Sequence, residues 1–308
     1  MTDHDGKPSV LVAGASGTIG TELTRQLAAH GHRVIRLVRR NAIGPDERTW
    51  SPGAGILDHR ALDQVDAVVN LSGASTSRMP WTRRYKSELI DSRLSATRTL
   101  TDAMTRSANP PRVFLSGSAY GYYGDAPGVR LTEDSPAGDT FLANLARQWE
   151  AAARRAPAPT RVVHLRTGLV LADEGALAPL RTLARLGLSA QLGTGGQHWP
   201  WVSLYDEAAA IRHLITSTIV GPVNLVGPTP ATASVILHEL AAALHRPMFL
   251  GVPGALISAV LGDAGRELLL ASAEVVPERL LADGFRFRHP TAASAIAAAL
   301  AGPGRSPS

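Results

Sequence analysis

The amino-acid sequence predicts an α/β fold: a doubly wound parallel sheet with a smaller C-terminal lobe. Two observations predict it, and a third narrows the class. Short apolar runs alternate with stretches of helical character through the first 171 residues, an order that builds parallel strands covered by helices. The first run, Val10-Leu11-Val12-Ala13, leads directly into Gly14, Gly17 and Gly20, and a helical pattern follows. Cysteine is absent from all 308 residues, so no disulfide framework or thiolate metal site organises the chain.

The opening unit reads strand, tight turn, helix, strand. Gly14 lets the chain leave the strand in a backbone conformation costly for other residues. Gly17 lets the main chain approach phosphates without a Cβ in the way, and Gly20 allows the helix to pack closely on the sheet. Ser16 and Thr18 add hydroxyl donors and Ile19 continues the turn, while the free amides of a helix start favour an anion. Leu23, Leu27 and Ala28 keep helical spacing, Gly31 ends the helix, and residues 33–38 read as the second strand. Glycine spacing alone also fits an ordinary strand-to-helix turn, but the complete unit points to a dinucleotide cradle.

The residues after the second strand select the cofactor. A site for NAD usually places an acid there for the ribose 2′-hydroxyl. Here stand Arg39 and Arg40, with no acid before Asp46. Guanidinium forks suit a 2′-phosphate, so NADP is expected over NAD. A pair of solvated surface arginines is the competing account.

Residues 66–74 read as a third buried strand, ending in a small-residue turn at Leu71, Ser72 and Gly73 that lets a dinucleotide cross the strand end. A polar, aromatic loop follows over 75–85, then a helix over 88–107. Residues 112–116 form the next strand, followed by the glycine- and tyrosine-rich run 117–124. A helix over 139–155 and a strand over 161–165, continuing to 171, complete the alternation. Beyond 172 the regularity weakens. A loop at 193–196, an extended segment at 199–203, a strand at 221–226, helices at 234–244 and 265–272, a short strand at 285–287 and an alanine-rich helix at 291–301 are expected, with a mobile tail at 302–308. Residues 1–171 are thus read as the cofactor domain, to which 202–227 return, and 172–301 as mainly a substrate-side lobe.

Lys and Arg number 31 against 26 acids, a formal net charge of +5, but the basic residues are scattered and not interleaved with aromatics. That pattern argues against nucleic acid as partner. No charged-then-apolar leader precedes the first strand and no run reaches membrane-spanning length, so a cytoplasmic protein with a small-molecule substrate is expected. The ten histidines lack ligand spacing on any one helix, so no metal site is expected.

Gly14 to Gly20, Asn70-Leu71-Ser72-Gly73, Ile90-Asp91-Ser92-Arg93, residues 118–124, Trp149-Glu150, Leu165-Arg166-Thr167-Gly168, Trp201-Val202 and Gly284-Phe285 run along nearly the whole chain. Together they resemble an atypical branch of the extended short-chain dehydrogenase/reductase superfamily, whose members are epimerase-like proteins with a C-terminal domain of unknown function. The resemblance implies a Rossmann-like fold and NAD(P)-dependent epimerase, dehydratase or reductase chemistry. It implies cofactor contacts at Glu88 and Arg93, for which an exposed helical charge pair is the alternative. It also places Val170 at the nicotinamide end.

The superfamily uses a Ser to orient the substrate oxygen, with a Tyr-x-x-x-Lys pair for proton transfer. Ser118 falls at the Ser position, but the Tyr and Lys positions hold Leu142 and Ala146. The two lysines, Lys7 and Lys86, have Asp3 and Thr82 four residues before them, so no Tyr-x-x-x-Lys exists. Tyr120, Tyr122 and Tyr123 follow Ser118 closely. Tyr123 is taken with Ser118 as the catalytic candidate, against packing in an aromatic turn. Arg166 either polarises a carbonyl or makes a structural ion pair. Lys86 is read as a solvated lysine. Trp81, Trp199 and Trp201 either line a cleft or pack a core. Two functions fit: an NADP-dependent oxidoreductase or epimerase-like enzyme acting on a small carbonyl or alcohol, and a non-catalytic NADPH-binding sensor. Retention of Ser118 favours the enzyme.

Overall fold

The computed structural model describes residues 8–173, 177–187, 189–248 and 250–301. The expected mobile tail at 302–308 lies outside them. The first half alternates as the sequence predicts except for an added strand, β3: β1 (Val10–Ala13), α1 (Thr18–Ala29), β2 (Val34–Val38), β3 (Glu47–Thr49), β4 (Ala67–Asn70), α2 (Arg83–Arg106), β5 (Val113–Ala119). Next come β6 (Ala126–Leu131), α3 (Phe141–Ala153), β7 (Arg161–Thr167) and β8 (Leu169–Leu171). The second half contains α4 (Leu177–Arg185), β9 (Ala190–Leu192), β10 (Trp201–Ser203), α5 (Leu204–Thr216), β11 (Gly221–Leu225) and α6 (Ala233–Ala243). It ends with β12 (Leu250–Val252), α7 (Gly254–Gly265), β13 (Ala273–Val275), α8 (Glu278–Ala282) and α9 (Ala292–Ala301).

Seven strands form one sheet in the order β3-β2-β1-β4-β5-β7-β11, every neighbour parallel. The chain winds outward from β1 to β3, then returns to the other side of β1 for β4. That reversal opens a crevice at the carboxyl ends of β1 and β4, where ligands bind in such sheets. Side-chain alternation explains why β1 is apolar throughout. Val10 and Val12 face α1 and α5, packing with Leu23, Leu27, Ile211 and Leu214. Leu11 and Ala13 face the opposite layer, packing with Leu100 and Met104 of α2. A strand covered on both faces has no polar side to show.

Three two-stranded parallel ladders stand apart from this sheet: β8 with β10, β9 with β12, and β6 with β13. A separate core of Trp199, Trp201, Ile236, Leu240 and Ile296 underlies the second half. Trp81, Trp199 and Trp201 are all buried, so packing is their role here.

Several elements depart from expectation. The helix expected from residue 88 starts at Arg83, because the Thr82 hydroxyl caps it by accepting from the Tyr85 amide at 3.1 Å. The helix expected over 265–272 is α7 followed by a π-helical turn at residues 266–270. Residues 285–287 make no strand. Phe285 instead packs edge-on against Phe287 (4.9 Å) and His213 (5.5 Å). Helix α5 carried no obvious sequence period, yet Ser203 caps it, accepting from the Asp206 amide at 3.0 Å.

Candidate functional site

The three glycines of the first turn are constrained in different ways. Gly14 has φ +82°, and a Cβ there would lie 2.8 Å from the Leu71 carbonyl carbon. A Cβ at Gly20 would collide with the Gly14 carbonyl oxygen and lie 2.8 Å from Ala15 Cα. At Gly17 a Cβ would meet only the Gly14 oxygen, at 3.4 Å, and the residue is exposed. The chain's own packing therefore requires glycine at 14 and 20 but only slightly at 17. The space over Gly17 is open. Gly17 also begins α1, with no side-chain cap and no acid in the first turn. The amides of that turn and their share of the helix dipole thus lack a counter-charge. Ser16 and Thr18 add hydroxyls beside them, and Ile19 packs beneath, against the core of the sheet.

The floor of the crevice is shaped by Asn70. Its side-chain oxygen accepts from the Ser72 amide (3.1 Å) and its Nδ2 donates to Thr97 Oγ1 (3.1 Å), which fixes the turn at Leu71 to Gly73. Gly73 rests on Arg93, whose side-chain carbons lie 3.1 Å from a Cβ built there. The Arg93 guanidinium donates to the Leu89 carbonyl (3.1 Å) and stands 5.1 Å from the centre of the Trp149 ring. It pairs with no carboxylate among the described residues, and burial pushes its pKa down to about 10. A desolvated cation without a counter-ion suits an anionic ligand. Glu88 stands exposed on the rim.

At the other end, the two arginines after β2 part company. Arg40 forks onto Glu47, with both N···O distances 2.7 Å. Glu47 also accepts from the Ile43 amide (3.0 Å) and lies 3.5 Å from Arg36. The bond from Arg40 leads these in holding the Glu47 carboxyl down at about 2. Arg39 is exposed and makes no ion pair or hydrogen bond among the described residues. The two arginines expected at the 2′-phosphate thus differ: Arg39 has no partner among the described residues and Arg40 is held by Glu47. Glu47 escaped sequence reading because it lies on β3, where pairing sets it opposite Arg36.

These groups share one open cleft of about 1200 Å³. Gly14, Ser16, Gly17, Arg39, Arg40, Leu71, Ser72, Gly73 and Glu88 line it. Thr18, Ile19, Gly20, Arg93, Val170, Ser118 and Tyr123 do not. The first three belong to the opening turn of α1, and Arg93 lies beneath Gly73.

The catalytic candidates are engaged elsewhere. Ser118 is 4% exposed and donates to Glu150 Oε1 at 2.9 Å. Glu150 accepts in turn from Arg166 Nε (2.8 Å) and Nη2 (3.2 Å). Arg166 Nη1 donates to the Tyr123 hydroxyl (3.0 Å), which donates to Asn224 Oδ1 (2.6 Å). Tyr123 is 3% exposed and burial pushes its pKa up to about 12. Both candidates are thus engaged in the buried network around Arg166: Glu150 and the Tyr123 hydroxyl accept from the guanidinium, and Ser118 donates to Glu150. Arg166 accordingly makes the structural ion pair. Tyr120 differs. Its hydroxyl has no partner among the described residues, and burial pushes it up to about 12. Leu142, at the expected Tyr position, packs against Gly121, where an added Cβ would stand 3.0 Å from its own. Lys86 is half-buried and paired with Asp263, which corrects its reading as a solvated lysine.

A family profile described as the NAD dependent epimerase/dehydratase family matches residues 10–227. The chain belongs to that family. A second profile, a domain of unknown function (DUF1731), matches residues 252–299. An epimerase family protein from Mycobacterium leprae is 38% identical over 306 residues, covering 98% of this chain and 99% of its own. The crystal structure of human epimerase family protein SDR39U1 with NADPH superposes with TM-score 0.85 at 34% identity, covering 94% of this chain and 98% of that one. A nucleoside-diphosphate sugar epimerase from Corynebacterium glutamicum superposes with TM-score 0.78 at 30% identity, covering 95% of this chain and 58% of that one. Among the described residues no helix is long and apolar enough to cross a membrane, and no cluster of His, Cys, Asp or Glu fits a metal ion.

Proposed function

We propose that this family member is an NADP-dependent oxidoreductase, or epimerase-like enzyme, acting on a small carbonyl or alcohol. The observation that carries the cofactor half is the open space over Gly17, beside helix amides with no counter-charge. Ser16, Gly17 and Thr18 would hold the pyrophosphate, with the Leu71 to Gly73 turn and Arg93 below and Glu88 on the rim. Val170 would stand at the nicotinamide end.

The choice of NADP over NAD is supported by charge. The acid nearest the expected ribose position, Glu47, has both oxygens committed to Arg40. It therefore offers little to a free 2′-hydroxyl, whereas Arg39 offers an unpaired guanidinium to a 2′-phosphate. The NADPH in the human relative is consistent with this.

When bound, the reduced nicotinamide supplies a hydride. The chain's own residues must then supply a proton. Tyr120 follows directly on the carboxyl end of β5, and what sets it apart from Tyr123 is a hydroxyl without a partner among the described residues, since burial raises both phenols to about 12. Its free hydroxyl suits donation to a carbonyl oxygen, whereas Tyr123 and Ser118 are committed to the Arg166 network. A non-catalytic NADPH sensor is the second reading, favoured by the apolar side chains of Leu142 and Ala146 where the Tyr and Lys would stand.

Calorimetric titration with NADPH and NADH tests the first step, and the absorbance of reduced cofactor over a panel of carbonyl compounds tests the second. The expected result is tighter binding of NADPH and turnover that Tyr120→Phe abolishes. Binding without turnover on any compound would replace the enzyme by the sensor.

A further inference from the structure

Residues 254–270 reach back to α2 and α3, two of the sheet's helices, at two polar points. Helix α7 runs into the π-helical turn at 266–270 through a kink at Gly262, where φ is +57°. Asp263, just past that kink, pairs with Lys86 on the first turn of α2. Glu267, in the turn, spreads its carboxylate over the start of α3, accepting from the amides of Phe141 (3.1 Å) and Leu142 (2.8 Å). Beside these points Ala264 and Leu268 join an apolar cluster with Trp81, Tyr85, Leu89 and Leu145. The segment is rooted in the C-terminal half itself: the Leu269 carbonyl accepts from Gln197 (2.9 Å) and Trp199 (3.3 Å).

The placement of these contacts carries the inference. Lys86 neighbours Ser87 and Glu88, which line the open cleft. Leu142 neighbours Gly121, just beyond the end of β5. The cleft runs from Arg36 to Arg40 at the β2 side as far as Gly73 and Ala74, but its lining does not extend to Ser118 or Val170. A dinucleotide lying on the first loop must extend past Gly73 across the ends of β4 and β5. The contacts from Asp263 and Glu267 bridge the two helices that flank that path.

We propose that Asp263 and Glu267 form a two-point latch that closes residues 254–270 over the nicotinamide half of the cofactor path. Release of the latch admits the reactive end of the cofactor and the substrate, while the adenosine half stays accessible throughout. The proposal rests on the dinucleotide reading above. Both points are charge-assisted, so neutral isosteres weaken the latch without emptying the apolar cluster.

The test uses the full chain and the double variant Asp263→Asn/Glu267→Gln, with Lys86→Met as an independent variant that leaves the C-terminal half untouched. Amide hydrogen exchange, read by mass spectrometry, should accelerate at least tenfold across 263–270 in the double variant, with β1, β4 and β5 unchanged. By stopped-flow fluorescence, NADPH should associate at least threefold faster with either variant. The probe 2′,5′-ADP, which lacks the nicotinamide half, should associate at the wild-type rate. Exchange across 263–270 equal to wild type overturns the latch. Faster exchange spread through the sheet strands, or equal acceleration for both ligands, shows general loosening and also overturns it. Failure of both ligands to bind wild type ends the dinucleotide reading and the gating role with it, while the exchange result still decides whether the contacts hold the segment.

Discussion

Gly17→Ala separates binding from folding. The backbone at Gly17 has φ −77°, ψ 170°, which alanine adopts without strain. The new methyl would meet one protein atom, the Gly14 oxygen at 3.4 Å. Two small effects on stability oppose each other. Alanine stabilises by about 0.4–1 kcal/mol by restricting the unfolded chain. It is also a poorer helix cap than glycine, by a comparable amount, on the order of 0.5–1 kcal/mol. Net stability should therefore change by less than about 1 kcal/mol. The methyl does, however, project into the space assigned to the pyrophosphate. Displacing phosphate oxygens from the α1 amides by even part of an ångström should weaken NADPH by roughly 10- to 100-fold, about 1.4–2.8 kcal/mol. Gly20→Ala is the control. Its methyl has no room beside the Gly14 carbonyl, so overpacking of about 1–3 kcal/mol should appear in stability itself. Urea unfolding followed by circular dichroism measures the first quantity, and calorimetry with NADPH the second. Wild-type affinity in a stable Gly17→Ala protein would show that nothing lies over this loop, and the cofactor assignment would fail.

Three further outcomes follow from the geometry. Arg39→Ala should weaken NADPH about tenfold and leave NADH nearly unchanged, because its guanidinium is free to take a 2′-phosphate while Glu47 holds Arg40; equal losses in paired titrations would remove Arg39 from that role. Tyr123→Phe should lower stability by about 1–3 kcal/mol, through the partners it leaves at Asn224 and Arg166, with NADPH affinity within about twofold of wild type; lost turnover in an equally stable protein would return Tyr123 to catalysis. Glu207 is buried against the Thr167 hydroxyl (2.8 Å), and burial pushes its carboxyl up from 4.5 to about 8. The folded chain thus keeps a proton that the unfolded chain releases, so stability falls as pH rises from about 4.5 to about 8. Glu207→Gln removes that titration, and its advantage over wild type should grow by up to about 1.4 kcal/mol per pH unit across the window. Denaturant melts at pH 5, 6.5 and 8 measure it, and a pH-independent difference would refute the assignment.

Local pattern was enough for the first strand, turn and helix and for the turn after β4. The strand, the glycine spacing and the helix period of residues 10–38 all lie within one short stretch, and each is set by backbone sterics or by burial on one face. The turn at Leu71 to Gly73 was legible for the same reason. The second half was harder to read. Helix α7 is built mostly from Gly, Ala, Leu, Ile and Val, so its composition shows no polar face to set a period. The short ladder strands β9, β12 and β13 have three residues each, too few for alternation to show.

Charge was decided by contacts distant in sequence. By itself the sequence determined a parallel α/β sheet, a loop suited to phosphate, and the absence of a Tyr-x-x-x-Lys pair. Tertiary structure alone decided that Glu47 takes Arg40 and leaves Arg39, that Arg166 draws in Ser118 through Glu150 and Tyr123 directly, and that Asp263 and Glu267 reach α2 and α3. The physical reason is range. Helix period and turn chemistry are settled by residues a few positions apart, whereas a desolvated charge takes whatever partner folding brings within hydrogen-bond distance, 16 positions away for Glu150 and Arg166 and 177 for Lys86 and Asp263.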